Sequence, residues 1–276
     1  MDKSLFVKLI GFPATLVHGD TLVLDRWLWL SERLPRTANG ETLMDLGCGT
    51  GAFTIGAAKR GYTAVGFSEN ERNQRVAAER AEICGANTAS FDVMDARKLD
   101  ARGDLVRSFD FVVCCEVVEH ILDDRKLFRD IAACLKPGGR LLLTAPNYHY
   151  RAMTPGDDGP FEREEHGWHV RRGYTKAMFE ELCDEAGLLV DNVSSCSGLA
   201  SQKVTTLMRV VGKVHPALGW ASVLGLRAIP PLVDGALRSV TNWPDYSIGL
   251  EAYKPRYGER TRRVAARNGH SRASAE

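Results

Sequence analysis

The stretch Leu43-Met44-Asp45-Leu46-Gly47-Cys48-Gly49-Thr50-Gly51-Ala52-Phe53 sets three glycines within five residues, directly behind a short apolar run. Glycine has no Cβ, so such a loop reaches positive φ and lets a ligand lie against bare backbone. The same residues suit an ordinary turn. Gly47, Gly49 and Ala52 also satisfy the G-x-G-x-x-A fingerprint in which a pyrophosphate rests on a helix N-terminus. The loop alone leaves these options open, and the elements around it must decide.

Outward from the loop, apolar runs alternate with helical patterns, the signature of an α/β chain with a parallel sheet covered by helices. Strands are expected at Thr42 to Leu46, Thr63 to Phe67, Ala89 to Asp92, Phe109 to Cys115, Arg140 to Ala145, Leu188 to Val193 and Tyr246 to Tyr253. Helices are expected at Leu22 to Leu34, ended by Pro35, at Phe53 to Arg60, Asn73 to Cys84, Asp124 to Leu135 and Thr175 to Ala186. Lys136-Pro137-Gly138-Gly139 reads as a turn. Residues 1–36 read as an N-terminal helical cap, 37–198 as the core with a lid at 147–173, and 199–245 as a helical insertion. Residues 246–254 form the last core strand, and the arginine-rich 255–276 a disordered tail.

Bulk properties set few limits. The chain has 276 residues, 44% hydrophobic and 26% charged, with a net charge of +1 that points to no nucleic-acid partner. Seven scattered cysteines have neither disulfide-framework nor C-x-x-C spacing and read as reduced thiols of a cytoplasmic protein. The N-terminal residues lack a signal-peptide pattern. No stretch reaches the ~18 apolar residues of a membrane-spanning helix.

Four blocks in order resemble the class I S-adenosylmethionine-dependent methyltransferases, from about Thr42 to Val193. They are Asp45-Leu46-Gly47-Cys48-Gly49-Thr50-Gly51; Asp95-Ala96; Phe109 through His120; and Leu135-Lys136-Pro137-Gly138-Gly139-Arg140-Leu141. Each block is weak alone, and together they are specific. The resemblance implies a Rossmann-like, doubly wound seven-stranded sheet, mostly parallel, with an antiparallel last strand between the fifth and sixth. A nicotinamide-dependent oxidoreductase would explain only the first block. A non-catalytic, methyltransferase-like scaffold is the other rival.

S-adenosylmethionine joins an amino-acid zwitterion through a sulfonium to adenosine, so its site needs amides for a carboxylate and an acceptor for an ammonium. Gly47 and Gly49 supply the amides, and Asp45 is expected on the ammonium side or as a brace for the loop. Cys48 reads as a small filler beside them. The family usually ends the second strand with an acid for the ribose hydroxyls. Here Gly66-Phe67-Ser68-Glu69-Asn70 places serine there, and Glu69, 18 residues beyond Gly51, becomes the ribose candidate with Ser68 contributing. Glu69 could instead open the following helix. Asp95 and Ala96 match the adenine-side position, with Asp92 a competitor, and Cys115 is expected to present backbone near the methionine part.

Glu116-Val117-Val118-Glu119-His120 brings Glu116, Glu119 and His120 onto one face if it is helical. The E-x-x-E-H form is similar to one in ubiquinone-pathway and small-RNA methyltransferases, where it is associated with a divalent metal. Related runs occur without a metal, and the metal-free reading is preferred, with His120 and Glu116 as catalytic candidates. The lid holds His149, His166 and His169 with Tyr148, Tyr150, Phe161 and Trp168, and reads as the acceptor side. A small-molecule acceptor is expected, methylated on oxygen. The apolar insertion from Gln202 to Val240 reads first as a cap; a homodimer interface and peripheral membrane contact are the alternatives.

Overall fold

The computed structural model describes residues 4–17, 21–257 and 259, so the tail expected to be disordered lies almost wholly outside the described residues. Seven strands make one sheet: β1 (Thr42–Leu46), β2 (Thr63–Ser68), β3 (Ala89–Val93), β4 (Phe109–Cys115), β5 (Leu135–Pro146), β6 (Leu189–Cys196) and β7 (Ser247–Tyr253). Their spatial order is β3-β2-β1-β4-β5-β7-β6. β1 to β5 pair in parallel, whereas β7 runs antiparallel to both β5 and β6. The fold is thus the Rossmann-like α/β arrangement that the sequence implies.

Ten α-helices cover the sheet: α1 (Leu5–Ile10), α2 (Phe12–Val17), α3 (Leu22–Arg33), α4 (Ala52–Ala58), α5 (Glu71–Ile83), α6 (Asp124–Cys134), α7 (Lys176–Ala186), α8 (Leu199–Gly212), α9 (Pro216–Val223) and α10 (Pro230–Thr241), counted among the described residues. Side-chain caps set several starts. Asn70 accepts from Asn73 N–H and begins α5 ahead of the expected Asn73, while Asp123 and Thr175 cap α6 and α7. α7 ends at Gly187 in the left-handed region.

Successive strand residues face opposite sides, so each central strand feeds two cores. Val112, Cys114, Leu141, Leu143 and Met44 pack with Phe128, Ile131 and Phe179 under α6 and α7. Phe111, Val113, Leu142 and Leu43 pack on the other face with Trp27, Leu30 and Ile55 of α3 and α4. Helix α3 lies close on this second face. A Cβ at Gly56 would stand 2.2 Å from Trp27 Cη2, and Trp29 Nε1 donates to Ser194 Oγ at 2.8 Å.

Several boundaries differ from expectation: α4 ends at Ala58 rather than Arg60, β6 runs to Cys196 rather than Val193, and β5 differs most. β5 begins at Leu135, not Arg140, because Leu135 pairs with Phe109 before the register jumps to Arg140 opposite Phe111. The Lys136–Gly139 turn is therefore a bulge inside the strand, fastened by Gly138 N–H to Lys254 O at 2.7 Å. Between β5 and α7, residues 147–175 form no helix or strand beyond one bridge, Asn147 to Tyr174.

Candidate active site

The glycine loop leaves the carboxyl end of β1 beside β4, where the strand order reverses and a parallel sheet opens a crevice. Gly47 has φ +80°, and its N–H and that of Cys48 both donate to Phe67 O at 2.9 Å. A Cβ on Gly47 would stand 2.2 Å from Val117 Cγ2, so only glycine fits. Gly49 has φ +53°, yet a Cβ there would meet no protein atom within 4 Å.

Beside the loop is a cavity of about 250 Å³ that brings together Gly47, Ser68, Glu69, Asp95, Ala96, Glu116 and His120. Asp45, Cys48, Gly49 and Cys115 are not among its walls. Asp45 is buried and accepts from Thr54 Oγ1 at 2.7 Å; burial outweighs that bond and pushes its carboxyl up to about 6. Cys48 packs against Gly66, and its thiol, like that of Cys115, is pushed far up by burial. All seven cysteines are free thiols.

Arg97, not anticipated from the sequence, organises the cavity's acids. Its Nε donates to Asp95 Oδ1 at 2.7 Å, Nη2 to Glu69 Oε2 at 3.3 Å and Nη1 to Glu165 Oε2 at 3.0 Å. The Arg97 hydrogen bond holds the Asp95 carboxyl below its ordinary value. Glu165 also accepts from Leu122 N–H, so the 147–175 segment reaches the cavity through it. A cation two residues beyond Asp95 was the available signal, but its partners come from three separate segments.

The expected common face of Glu116, Glu119 and His120 forms only in part. The helical turn spans Val118–His120, and Glu116 precedes it at φ +54°. Its carboxylate instead meets Arg26 Nη2 of α3 at 3.1 Å and accepts from Ser247 Oγ of β7 at 3.0 Å. Glu119 is fully buried, and neither carboxylate oxygen has a hydrogen-bond partner among the described residues. Burial, then the Glu116 charge, raises its pKa well above the usual carboxylate range.

Two histidines meet Glu119. His120 Nε2 lies 3.7 Å and His169 Nε2 4.0 Å from Glu119 Oε1, and the two rings pack edge to face with centroids 4.8 Å apart. His169 is delivered by backbone and cation contacts: Val170 N–H donates to Glu119 O at 2.9 Å, and Arg171 Nη2 donates to the carbonyls of Ile121 and Leu122. Desolvation, with the His120 charge second, pushes His169 down to about 4, so it is neutral at neutral pH. The other two lid histidines stand elsewhere: His149 packs on Tyr148, and His166 is an exposed partner of Glu164.

Glu119, His120 and His169 offer one ligand atom each within 4.8 Å of one another. With the unpartnered Glu119 oxygens, this donor set fits a divalent cation. Beyond His169 lies a second cavity of about 550 Å³, whose walls include Tyr150, Phe161, Trp168, Arg209 and Tyr246.

A seven-stranded sheet with an inserted antiparallel strand, and a glycine loop at its switch point, are the arrangement of the class I methyltransferase fold. The chain belongs to the methyltransferase domain family, whose model matches residues 24–193, and S-adenosylmethionine is its cofactor. The chain is similar to a ubiquinone biosynthesis O-methyltransferase of Coxiella burnetii, 30% identical over 116 residues, covering 42% of this chain and 48% of the relative. One of the same description from Caulobacter is 32% identical over 128 residues, covering 44% and 50%. The chain thus spans about half the length of the curated relatives it matches. In fold it resembles an S-adenosylmethionine-dependent methyltransferase from Mesorhizobium loti, with TM-score 0.53, 19% identity, and coverage of 86% of this chain and 99% of that one. Among the described residues, no helix is long and apolar enough to cross a membrane.

Proposed function

We propose that this methyltransferase acts on an oxygen of a small molecule held in the second cavity, against the His120–His169 pair. The carrying observation is that pair: His120 lines the glycine-loop cavity, His169 lines the other, and their rings touch. The O-methyltransferase names of the partial relatives support the choice of oxygen.

S-adenosylmethionine supplies an electrophilic methyl whose sulfonium leaves as a neutral thioether. The chain's own residues then have two tasks. The glycine loop, Ser68, Glu69 and Asp95 would hold the cofactor in the cavity that His120 also lines, and alignment with the acceptor would carry much of the acceleration. Neutral His169, or His120, accepts the hydroxyl proton as the acceptor oxygen forms its bond to carbon.

The Glu119 oxygens, which have no hydrogen-bond partner among the described residues, favour a second reading, in which Glu119, His120 and His169 would hold a divalent cation that would supply a Lewis acid for the acceptor hydroxyl. One experiment tests both. Labelled S-adenosylmethionine is offered to panels of hydroxyl, amine and carbon acceptors, with and without chelator, and the methylated atom is located by NMR. Oxygen methylation is expected, and an N- or C-methyl product overturns the proposal. Chelator-resistant turnover supports the histidine base. Chelator-sensitive turnover, with Mn²⁺ binding seen by electron paramagnetic resonance and lost in Glu119→Gln, supports the cation.

A further inference from the structure

The insertion between β6 and β7 is built inside out. In α8 the buried side chains are Ser201, Gln202 and Thr205, whereas Leu207 and Val210, with Val214 just beyond, face solvent at helical spacing. Helix α9 carries no charged side chain, and its exposed positions include Ala217, Leu218 and Ala221. Helix α10 exposes Leu232, Ala236 and Val240, one face at four-residue spacing, with Leu232 and Val240 82% and 83% exposed. Helix α1 adds Leu9 and Ile10, both exposed, and joins α9 through Phe6, whose ring is tilted against that of Trp220 with centroids 4.9 Å apart. Soluble helices turn such stripes toward a core, and this much exposed apolar surface marks a contact face.

The charge around this face selects its occupant. Residues 199–241 carry Lys203, Arg209, Lys213, Arg227 and Arg238 against one acid, Asp234, whose carboxylate is spent on capping α8 through Ala200 N–H and Ser201. Arg209 and Arg238 pair with Asp157 and Asp245 outside the segment and Arg227 is buried, so the exposed cations of the face are Lys203 and Lys213. Beyond the end of α10, Trp243 lies between Arg151 at 4.2 Å and Lys203 at 4.8 Å from its ring centroid. Apolar side chains rimmed by a tryptophan and cations match the interface of a bilayer with acidic headgroups. A two-fold pairing of the same face with itself would set these cations against their copies.

We propose that the α8–α10 insertion, extended by α1, docks on an anionic phospholipid bilayer. The inference goes beyond the methyl-transfer reading and does not depend on it.

The test uses the full chain in co-sedimentation with phosphatidylcholine vesicles and with vesicles containing phosphatidylglycerol. Binding is expected on the anionic vesicles, weaker on the neutral ones, and reduced by added salt. Leu232→Glu with Val240→Glu should lower partitioning about tenfold or more, the equivalent of removing one apolar side chain from an apolar phase. Both sites are surface positions, so S-adenosylhomocysteine binding should persist and report an intact fold. Lys203→Glu with Lys213→Glu should erase the preference for anionic vesicles. Absence of parental binding to either vesicle, or full retention by the leucine and valine variant, overturns the proposal. So does a dimer in sedimentation velocity that the same variant dissolves while vesicles bind nothing.

Discussion

Replacing Asp45 with asparagine separates the two roles open to the acid behind the glycine loop. In the folded chain its carboxyl is pushed from 3.8 to about 6, because burial outweighs the Thr54 hydrogen bonds. The folded state therefore holds this proton more tightly than the unfolded state. That stabilisation is fully present below about pH 4 and is lost as pH rises through about 6. A rise of that size corresponds to about 3 kcal/mol, of which about 2 kcal/mol falls between pH 4.5 and pH 7.5. Asparagine still accepts from Thr54 and takes up no proton. Relative to the parent, Asp45→Asn should thus gain about 2 kcal/mol between those two pH values, measured by urea unfolding of both proteins at each. Asp25, also pushed up to about 6, is present in both proteins and cancels. A parent-to-variant difference that does not change with pH refutes the reasoning. The same variant addresses function. If Asp45 receives the cofactor's ammonium, parental S-adenosylhomocysteine affinity rises as pH passes 6 and the variant's does not. A flat parental profile leaves Asp45 as a brace alone.

Gly49→Val should abolish S-adenosylhomocysteine binding at a backbone cost of roughly 1–3 kcal/mol, since its Cβ meets no protein atom; undiminished binding by calorimetry contradicts this. Glu69→Ala should weaken cofactor binding by roughly 1.5–3 kcal/mol if it serves the ribose, and a loss appearing at Ser68→Ala instead moves the role to Ser68. Arg26→Met removes the guanidinium from the buried Glu116 pair and should destabilise the fold by about 3–5 kcal/mol, with Glu116→Gln added restoring part of it. A thermal melt unchanged by Arg26→Met would show that α3 is not held through this pair.

Local chemistry made much of this protein legible from its residues alone. β1 and β4 have the bounds their apolar runs imply, because a strand covered on both faces must be apolar throughout. The glycine loop and the α7 stop at Gly187 follow from backbone freedom, whereas the place of the last strand followed from the family resemblance. What pairs with what was decided in three dimensions. β5 starts at Leu135 because β4 offers a partner there, a fact no turn signal carries. Glu116 leaves the E-x-x-E-H face because Arg26 and Ser247, far away in the chain, satisfy its carboxylate. His169 joins His120 because Glu119 O and the carbonyls of Ile121 and Leu122 anchor the residues just after it. Arg97 gathers Glu69, Asp95 and Glu165 from three segments. Spacing encodes what a residue can do within one element. A buried charge, which must find a partner or shift its pKa, is settled only by what the fold brings beside it.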